Sequence, residues 1–342
     1  MSSLAAGPTK TALSGAAVGR GVAIIVAVLA LVAVPYVIGQ LYYVNIASQV
    51  LLYAVFALGI NVLVGYAGLV SLGHAGLFGI AAYIDAYLLS AGYGHTVAIL
   101  AALVGALAAT AVFAALSLRA TGISFIMITL ALGEIIWGLA YRWISITGGD
   151  NGISVSTRPA PFGIALDSPQ AFYEATLVIF LMSIATVAIF VRSPFGAALC
   201  GTRDQPRRMN ALGYHVWMIR FGACLFSGLL TAVAGILFVY YNEFISPQAL
   251  ALTASAEGLL MVISGGAGTL LGPVIGAALV VIVKNVVSAY ITRWNFMLGA
   301  IFVAIVVFMP EGLVPGLVRL TRSAWSATGR RRTAPVPAGT QR

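Results

Sequence analysis

The chain has 342 residues, 61% of them hydrophobic and only 8% charged, with 18 basic and 9 acidic side chains. A water-soluble domain needs about 25% charged residues to cover its surface, so this composition and a mean hydropathy of +1.03 exclude a soluble globular protein. The net charge of +9 is read as the excess of Lys and Arg that cytoplasmic loops of membrane proteins carry, rather than as a nucleic-acid surface.

A helix needs about 20 mostly apolar residues to cross the hydrocarbon core, because each backbone group there must be bonded internally. Ten stretches meet that need in chain order. They are Gly21–Ile38, Leu41–Val64, Leu69–Ser90, Thr96–Leu118, Ile123–Tyr141, Phe172–Val191, Trp217–Tyr241, Leu250–Leu270, Val274–Ile291 and Phe296–Leu313. The first exceeds the roughly 7–15 apolar residues of a signal peptide and is followed by no small-residue cleavage site, so it is read as retained. The predicted fold is an all-α polytopic membrane protein of about ten helices in two related halves, with glycine-broken segments.

The basic residues set the orientation. With the N-terminus inside, the inner segments hold Lys10, Arg20, Arg119, Arg192, Arg203, Arg207, Arg208, Arg220 and six arginines from Arg319 onward. Only Arg142, Arg158 and Arg293 fall outside, and Lys284 lies within a span. This asymmetry predicts that both termini are cytoplasmic. Residues 1–20 form a predicted cytoplasmic tail, 21–318 the transmembrane domain with a cytoplasmic loop over 192–216, and 319–342 a basic tail. The tails are too polar and too rich in small residues to bury a core. Cys200 and Cys224 are read as free thiols, and three scattered histidines suggest no metal site.

Against this apolar background, glycine runs stand out. Gly65-Tyr66-Ala67-Gly68 leads into Ser71, Gly73, His74 and Gly76, and Gly265-Gly266-Ala267-Gly268 leads into Gly272 and Gly276. Gly65, Ala67 and Gly68 match Gly265, Ala267 and Gly268 at an offset of 200 residues, a weak internal repeat. A broken helix exposes backbone N–H and C=O groups that bind a polar solute or line a cavity; the alternative is close helix packing on small residues. Gly65, Tyr66, Gly68, Ser71, His74, Gly265 and Gly268 are therefore candidate translocation-path residues.

Among ionisable groups, Glu134 lies near the middle of its span, with Trp137 and Tyr141 on the same helical face, and is the candidate polar anchor of the path. Glu257 lies nearer a span end and is read either as extending to the interface or as capping a broken helix. Lys284 reaches an interface through its aliphatic stem and needs no special role.

The polar loop from Arg192 to Tyr214 contains Ser193-Pro194-Phe195-Gly196, Leu199, Arg203-Asp204 and Leu212-Gly213. Ser193 before Pro194 is a helix-start signal, a side-chain cap followed by proline at the first position. An ordinary basic loop does not explain Phe195 and Leu199; docking to a partner does.

In combination these segments resemble the permease subunits of branched-chain amino-acid ABC importers, specifically the LivM-type subunit. The resemblance is carried by Ala57–Gly68 with Ser71–Ala75, Gly122–Phe125 with Thr129, Leu130, Gly133 and Glu134, Thr147–Gly152, Ser193–Gly196, Ile263–Gly276 and Met309–Gly312, and spans roughly residues 20–317. It implies a bacterial inner-membrane subunit paired with a second, LivH-like permease, two cytoplasmic ATPase subunits and an extracytoplasmic substrate-binding protein. Ser193, Pro194, Phe195, Gly196, Leu199, Arg203, Asp204, Leu212 and Gly213 would then form the ATPase-coupling element. The outer segment Trp143–Gln170, with Arg142, Asp150, Arg158 and Asp167, would face the binding protein.

The chain departs from the family pattern at Ala197, Cys200 and Gln205-Pro206-Arg207-Arg208, and Pro206 should interrupt a helix unless it sits in the first turn. Its two lysines, Lys10 and Lys284, lie in no phosphate-binding G-x-x-x-x-G-K-[ST] loop, so ATP is expected on partner subunits and no cofactor in this chain. Branched-chain or related small amino acids are the expected substrates, with urea or amides as the alternative. A gradient-driven carrier and a membrane-embedded enzyme are the rivals from other classes. The scarcity of membrane acids disfavours the first, and the lack of a carboxylate companion for His74 disfavours the second.

Overall fold

A computed structural model describes residues 26, 29–36, 40–155, 168–290, 294–309, 312–316 and 319. The chain builds helices α1 (Leu41–Asn61), α2 (His74–Ser90), α3 (His95–Ser117), α4 (Ile123–Arg142) and α5 (Pro169–Arg192). The short helices α6 (Pro194–Asp204) and α7 (Pro206–Ala211) follow. The chain continues through α8 (Val216–Asn242), α9 (Leu252–Gly265), α10 (Gly272–Tyr290) and α11 (Trp294–Phe308). Residues 29–36 are helical and rest on α5, where Tyr173 donates to the Leu31 carbonyl at 2.7 Å. The rest of the first predicted span, and Arg158, Asp167 and Arg293, lie outside the described residues.

Among the described residues, five helical stretches are long and apolar enough to span a bilayer: Leu41–Ala67, His95–Ser117, Ile123–Arg142, Pro169–Arg192 and Val216–Asn242. The chain is a multi-pass, helical membrane protein. Helix α1 is the hub, packing against α5, α8, α9 and α10, and most of its length is buried. Helices α3, α4 and α5 are peripheral and expose Val104, Val112, Ile135, Leu139, Val178 and Met182, which is how lipid-facing surface reads.

Small residues set the packing distances. Ala98, Ala102, Ala106, Thr110 and Ala114 recur every four residues along α3 and are fully buried, letting α2 and α8 approach closely. A Cβ on Gly235 of α8 would strike the Phe78 carbonyl of α2. Within the helices Ser48, Thr110, Thr176 and Ser183 return their hydroxyl protons to the carbonyl four residues back, so none of these four is a lone donor in apolar surroundings.

Two predicted spans are shorter than the hydropathy implies. Leu69–Gly73 is not helical, so α2 begins at His74, and α9 runs only from Leu252 to Gly265 after a 3₁₀ turn at Pro247–Leu250. A run of apolar residues has the same hydropathy whether extended or coiled, which is why the windows overran. At the far end from α6, residues Ile153–Ser154 pair antiparallel with Phe244–Ile245, an unpredicted clasp too short for a strand pattern to reveal. Glu243 turns the chain there with a left-handed backbone (φ 53°), its carbonyl accepting from Val155 at 2.9 Å.

Candidate functional site

The two glycine runs meet. Helix α1 ends in a wider π-type turn at Val62–Ala67, closed by Gly68 at φ 68°. Helix α9 ends at Gly265, followed by Gly266 and Gly268 at φ 118° and 78°. A Cβ on Gly65 would overlap the backbone nitrogen of Gly268, so side chains larger than hydrogen are excluded. Asn61 bridges the pair: its Nδ2 donates to the Thr269 carbonyl at 2.9 Å, and its Oδ1 accepts from the Gly268 N–H at 2.9 Å. One side chain thus satisfies a donor and an acceptor that the broken helix leaves open.

The polar loop docks onto this junction. Ser193 caps α6, its Oγ accepting from the Gly196 N–H at 3.2 Å, with Pro194 at the first helical position. The chain turns so sharply there that Gly196 lies against the Val191 and Phe190 carbonyls. Pro206 opens α7, and the interruption falls at Gln205 between the two short helices. Arg203 donates from Nη1 to the Gly65 carbonyl at 2.8 Å and from Nε to Asp204 at 2.9 Å, while its stem crosses Gly68. Arg220 of α8 donates to the Thr202 carbonyl at 2.8 Å, closing the last turn of α6.

Leu199 corrects a sequence reading. It is fully buried on the chain's own bundle, so its apolar character needs no outside partner. Phe195 is partly covered as well, its ring 5.2 Å from that of Phe190 and lying over Gly222. The unexplained apolar surface is instead on and after α7: Leu212 is 66% exposed and Tyr214 49%, beside exposed Arg207 and Arg208. Gly213 makes the tight turn there at φ 87°.

The break after α1 is held by hydroxyls. Thr129 of α4 accepts from the Leu72 N–H at 3.3 Å, and Ser255 of α9 accepts from the Ala75 N–H at 2.9 Å, tying the first turns of α2 and α9 together. His74 is buried, with Nε2 3.0 Å from Ser227 Oγ. That hydroxyl gives its proton to the Gly59 carbonyl at 2.6 Å and so accepts from the imidazole. Ser71 and Tyr66 are buried too. In this conformation these groups lock helices together. Glu134 is half-buried on α4, away from the glycine junction, with Trp137 and Tyr141 stacked on the same face at 5.5 Å.

At the other end of α9 a cavity of about 670 Å³ opens between α1, α2, α8 and the segment leading into α9. Its wall carries Glu257, a candidate path residue, ion-paired with Lys284 at 3.2 Å, a pairing that reading the two residues separately had not foreseen. Its floor is an edge-on trio, with Phe78 5.2 Å from Phe56 and 5.3 Å from Phe238.

Sequence reasoning missed three features. Asn61 was legible as a polar residue within an apolar span. Asp85 was equally legible; it is fully buried in α2, and neither carboxylate oxygen has a hydrogen-bond partner among the described residues. The aromatic floor was not legible, because its rings come from three separate helices. Among the described residues no cluster of His, Cys, Asp or Glu could hold a metal, and Cys200 and Cys224 are unpaired with each other.

Comparison with known proteins fits this geometry. Residues 42–306 match the family model described as branched-chain amino acid transport system / permease component. The chain is 29% identical over 331 residues to the high-affinity branched-chain amino acid transport system permease protein LivM of Salmonella typhimurium, covering 89% of this chain and 77% of that one. It is 28% identical over 329 residues to LivM of Escherichia coli K12, with the same coverage. The autoinducer 2 import system permease protein LsrC of Salmonella paratyphi B is 29% identical over 241 residues, 67% of each chain. No solved structure matches significantly. The chain therefore belongs to the permease-component family of branched-chain amino-acid transport systems, a transport subunit and not an enzyme.

Proposed function

We propose that this chain is one of two permease subunits of an ATP-driven importer for branched-chain or related small amino acids in the bacterial inner membrane. It forms half of the translocation path, pairs with a LivH-like permease, rests on two cytoplasmic ATPases and receives substrate from an extracytoplasmic binding protein. It crosses the membrane ten times, in two halves related by the glycine repeat, with both termini cytoplasmic. The relatives' names support import of small solutes, and two of the three name branched-chain amino acids.

The observation that carries the coupling role is the bond from Arg203 to Gly65. ATP-driven closure of the ATPases pushes on α6, α7 and the exposed Leu212–Tyr214 corner. Arg203 passes that displacement to the Gly65–Gly268 junction, where α1 and α9 end against each other. The junction moves as a unit because Asn61 bonds both sides of it. Small residues there let the joined ends shift together without a side chain to lift over, as alternating access between outward and inward cavities requires.

Gentle purification from native membranes followed by mass spectrometry tests the assignment. Recovery of a homologous permease with nucleotide-binding subunits is expected. Recovery of the chain alone after cross-linking would overturn it in favour of a gradient-driven carrier.

A further inference from the structure

A second cleft, of about 400 Å³, opens at the α6 end of the bundle, where two membrane spans end side by side. Leu118 and Thr121 follow the last turn of α3, and His215, Trp217, Met218 and Arg220 open α8. Asn210 of α7 closes a third side. A cleft at the ends of two spans lies at the level of lipid headgroups, not in a path between helices.

Its wall is basic. One proton of the Arg220 guanidinium goes to the Thr202 carbonyl. Among the described residues nothing accepts the other four of its five, and Nε is buried without a partner. Arg119 follows Leu118 directly, and Arg207 and Arg208 stand within one turn of Asn210, all three exposed. No lining residue is acidic. Helix α8 also begins here without a side-chain cap, so its first N–H groups add donors to the same wall. A guanidinium with protons to give, in a cleft without a carboxylate, matches a phosphate.

The rim says where that phosphate comes from. Trp217 and Met218 are exposed beside the cleft, and the Trp217 ring stacks on Phe221 at 5.0 Å. Val112 and Leu116 continue the apolar surface along α3. Tryptophan suits the headgroup level, and an exposed apolar stripe running from it into the membrane suits acyl chains. A free phosphate would leave both uncovered.

We propose that this cleft holds the phosphate of an anionic phospholipid, in the leaflet on the α6 side. Arg220 is the principal donor, with His215 and Asn210 beside it, and Trp217 and Met218 cover the glycerol. Because the same guanidinium closes α6, the lipid braces the loop that Arg203 joins to the glycine junction. The site stands apart from the importer reading.

The test places the complete complex in nanodiscs that contain phosphatidylglycerol with a diazirine near its headgroup. After irradiation, labelled peptides are mapped by mass spectrometry. Labelling is expected around Leu118–Thr121 and Asn210–Arg220. It should exceed that by the matched phosphatidylcholine about fivefold, the effect of one basic residue on an anionic headgroup. Arg220→Gln should abolish the excess. Since Arg220 also bonds α6, Thr121→Asp is the second variant. It sets a carboxylate on the wall, leaves the guanidinium in place, and should abolish the excess at an unchanged melting temperature.

An excess that survives either replacement overturns the site. Equal labelling by the two lipids also overturns it, reducing the cleft to a place for any bilayer lipid. Displacement of the label by millimolar inorganic phosphate would assign the cleft to the free ion instead. Labelling that appears only after the ATPases are stripped away would mean that they cover the cleft, and would overturn the lipid as its occupant.

Discussion

Arg203, near the end of the short helix α6, donates a 2.8 Å hydrogen bond to the carbonyl of Gly65, at the end of the most buried of the five candidate spans. The contact joins the polar loop to the junction where both glycine runs meet. A bond to a charged donor is worth about 1.5–3 kcal/mol when shielded, and the partial exposure of Arg203 lowers that figure. In the proposed importer it is a linkage that ATP-driven motion would work through without locking the subunit.

Replacing Arg203 with Ala is expected to lower substrate uptake about tenfold, as loss of roughly 1.4 kcal/mol of coupling would, while ATP hydrolysis by the complex persists. Lysine restores little, because a single ammonium does not reproduce the guanidinium fork that holds Asp204 and Gly65 at once. The uptake-to-hydrolysis ratio in proteoliposomes is the readout; an unchanged ratio in Arg203→Ala contradicts the linkage.

Asn61→Leu removes two bonds at the glycine junction and leaves a partly buried N–H and C=O unpaired. At about 1–3 kcal/mol for each orphaned group, thermal unfolding in detergent should move down by several degrees. Gly65→Ala should be at least as harmful, since its methyl overlaps Gly268 and Asn61. A wild-type melting temperature for both variants would show that the junction bears no stability.

Leu212→Asp places a charge on the exposed corner after α7 without touching the buried face of α6. Co-purification of the ATPases should fall severalfold while the two permeases stay together. Gly196, by contrast, lies against the backbone of α5, so its substitution disturbs the fold as well as the docking and tests coupling poorly. Retention of the ATPases by Leu212→Asp would move the docking surface elsewhere.

Among the described residues the buried carboxyl of Asp85, in the interior of α2, has no hydrogen-bond partner. Burial of a polar group without a partner costs about 1–3 kcal/mol by mutational measures, so Asp85→Leu is expected to raise the melting temperature. A fall in uptake alongside that gain would mark the acid as functional. Loss of stability would mean that the carboxyl has a structural partner after all.

How far the sequence carried depended on the kind of signal. Ser193-Pro194 announced the start of α6 because capping is local chemistry, and Pro206 announced the break before α7 for the same reason. The repeat at Gly65 and Gly265 marked two segments that meet, but the contact between them belongs to tertiary structure. Leu69, Val70 and Leu72 hid a non-helical stretch, since hydropathy is blind to conformation. Leu199 misled for a related reason: one sequence cannot distinguish an apolar residue that docks on its own bundle from one awaiting a partner. The pairing of Glu257 with Lys284, 27 positions apart on different helices, needed the fold.

In the proposed importer, ATP hydrolysed on partner subunits drives solute through this chain. Proteoliposomes holding the whole complex, with its binding protein outside and ATP inside, measure that directly as accumulation of labelled L-leucine. Accumulation is expected to require ATP and to persist when ionophores collapse every ion gradient. Accumulation without ATP that vanishes with the ion gradient would contradict it.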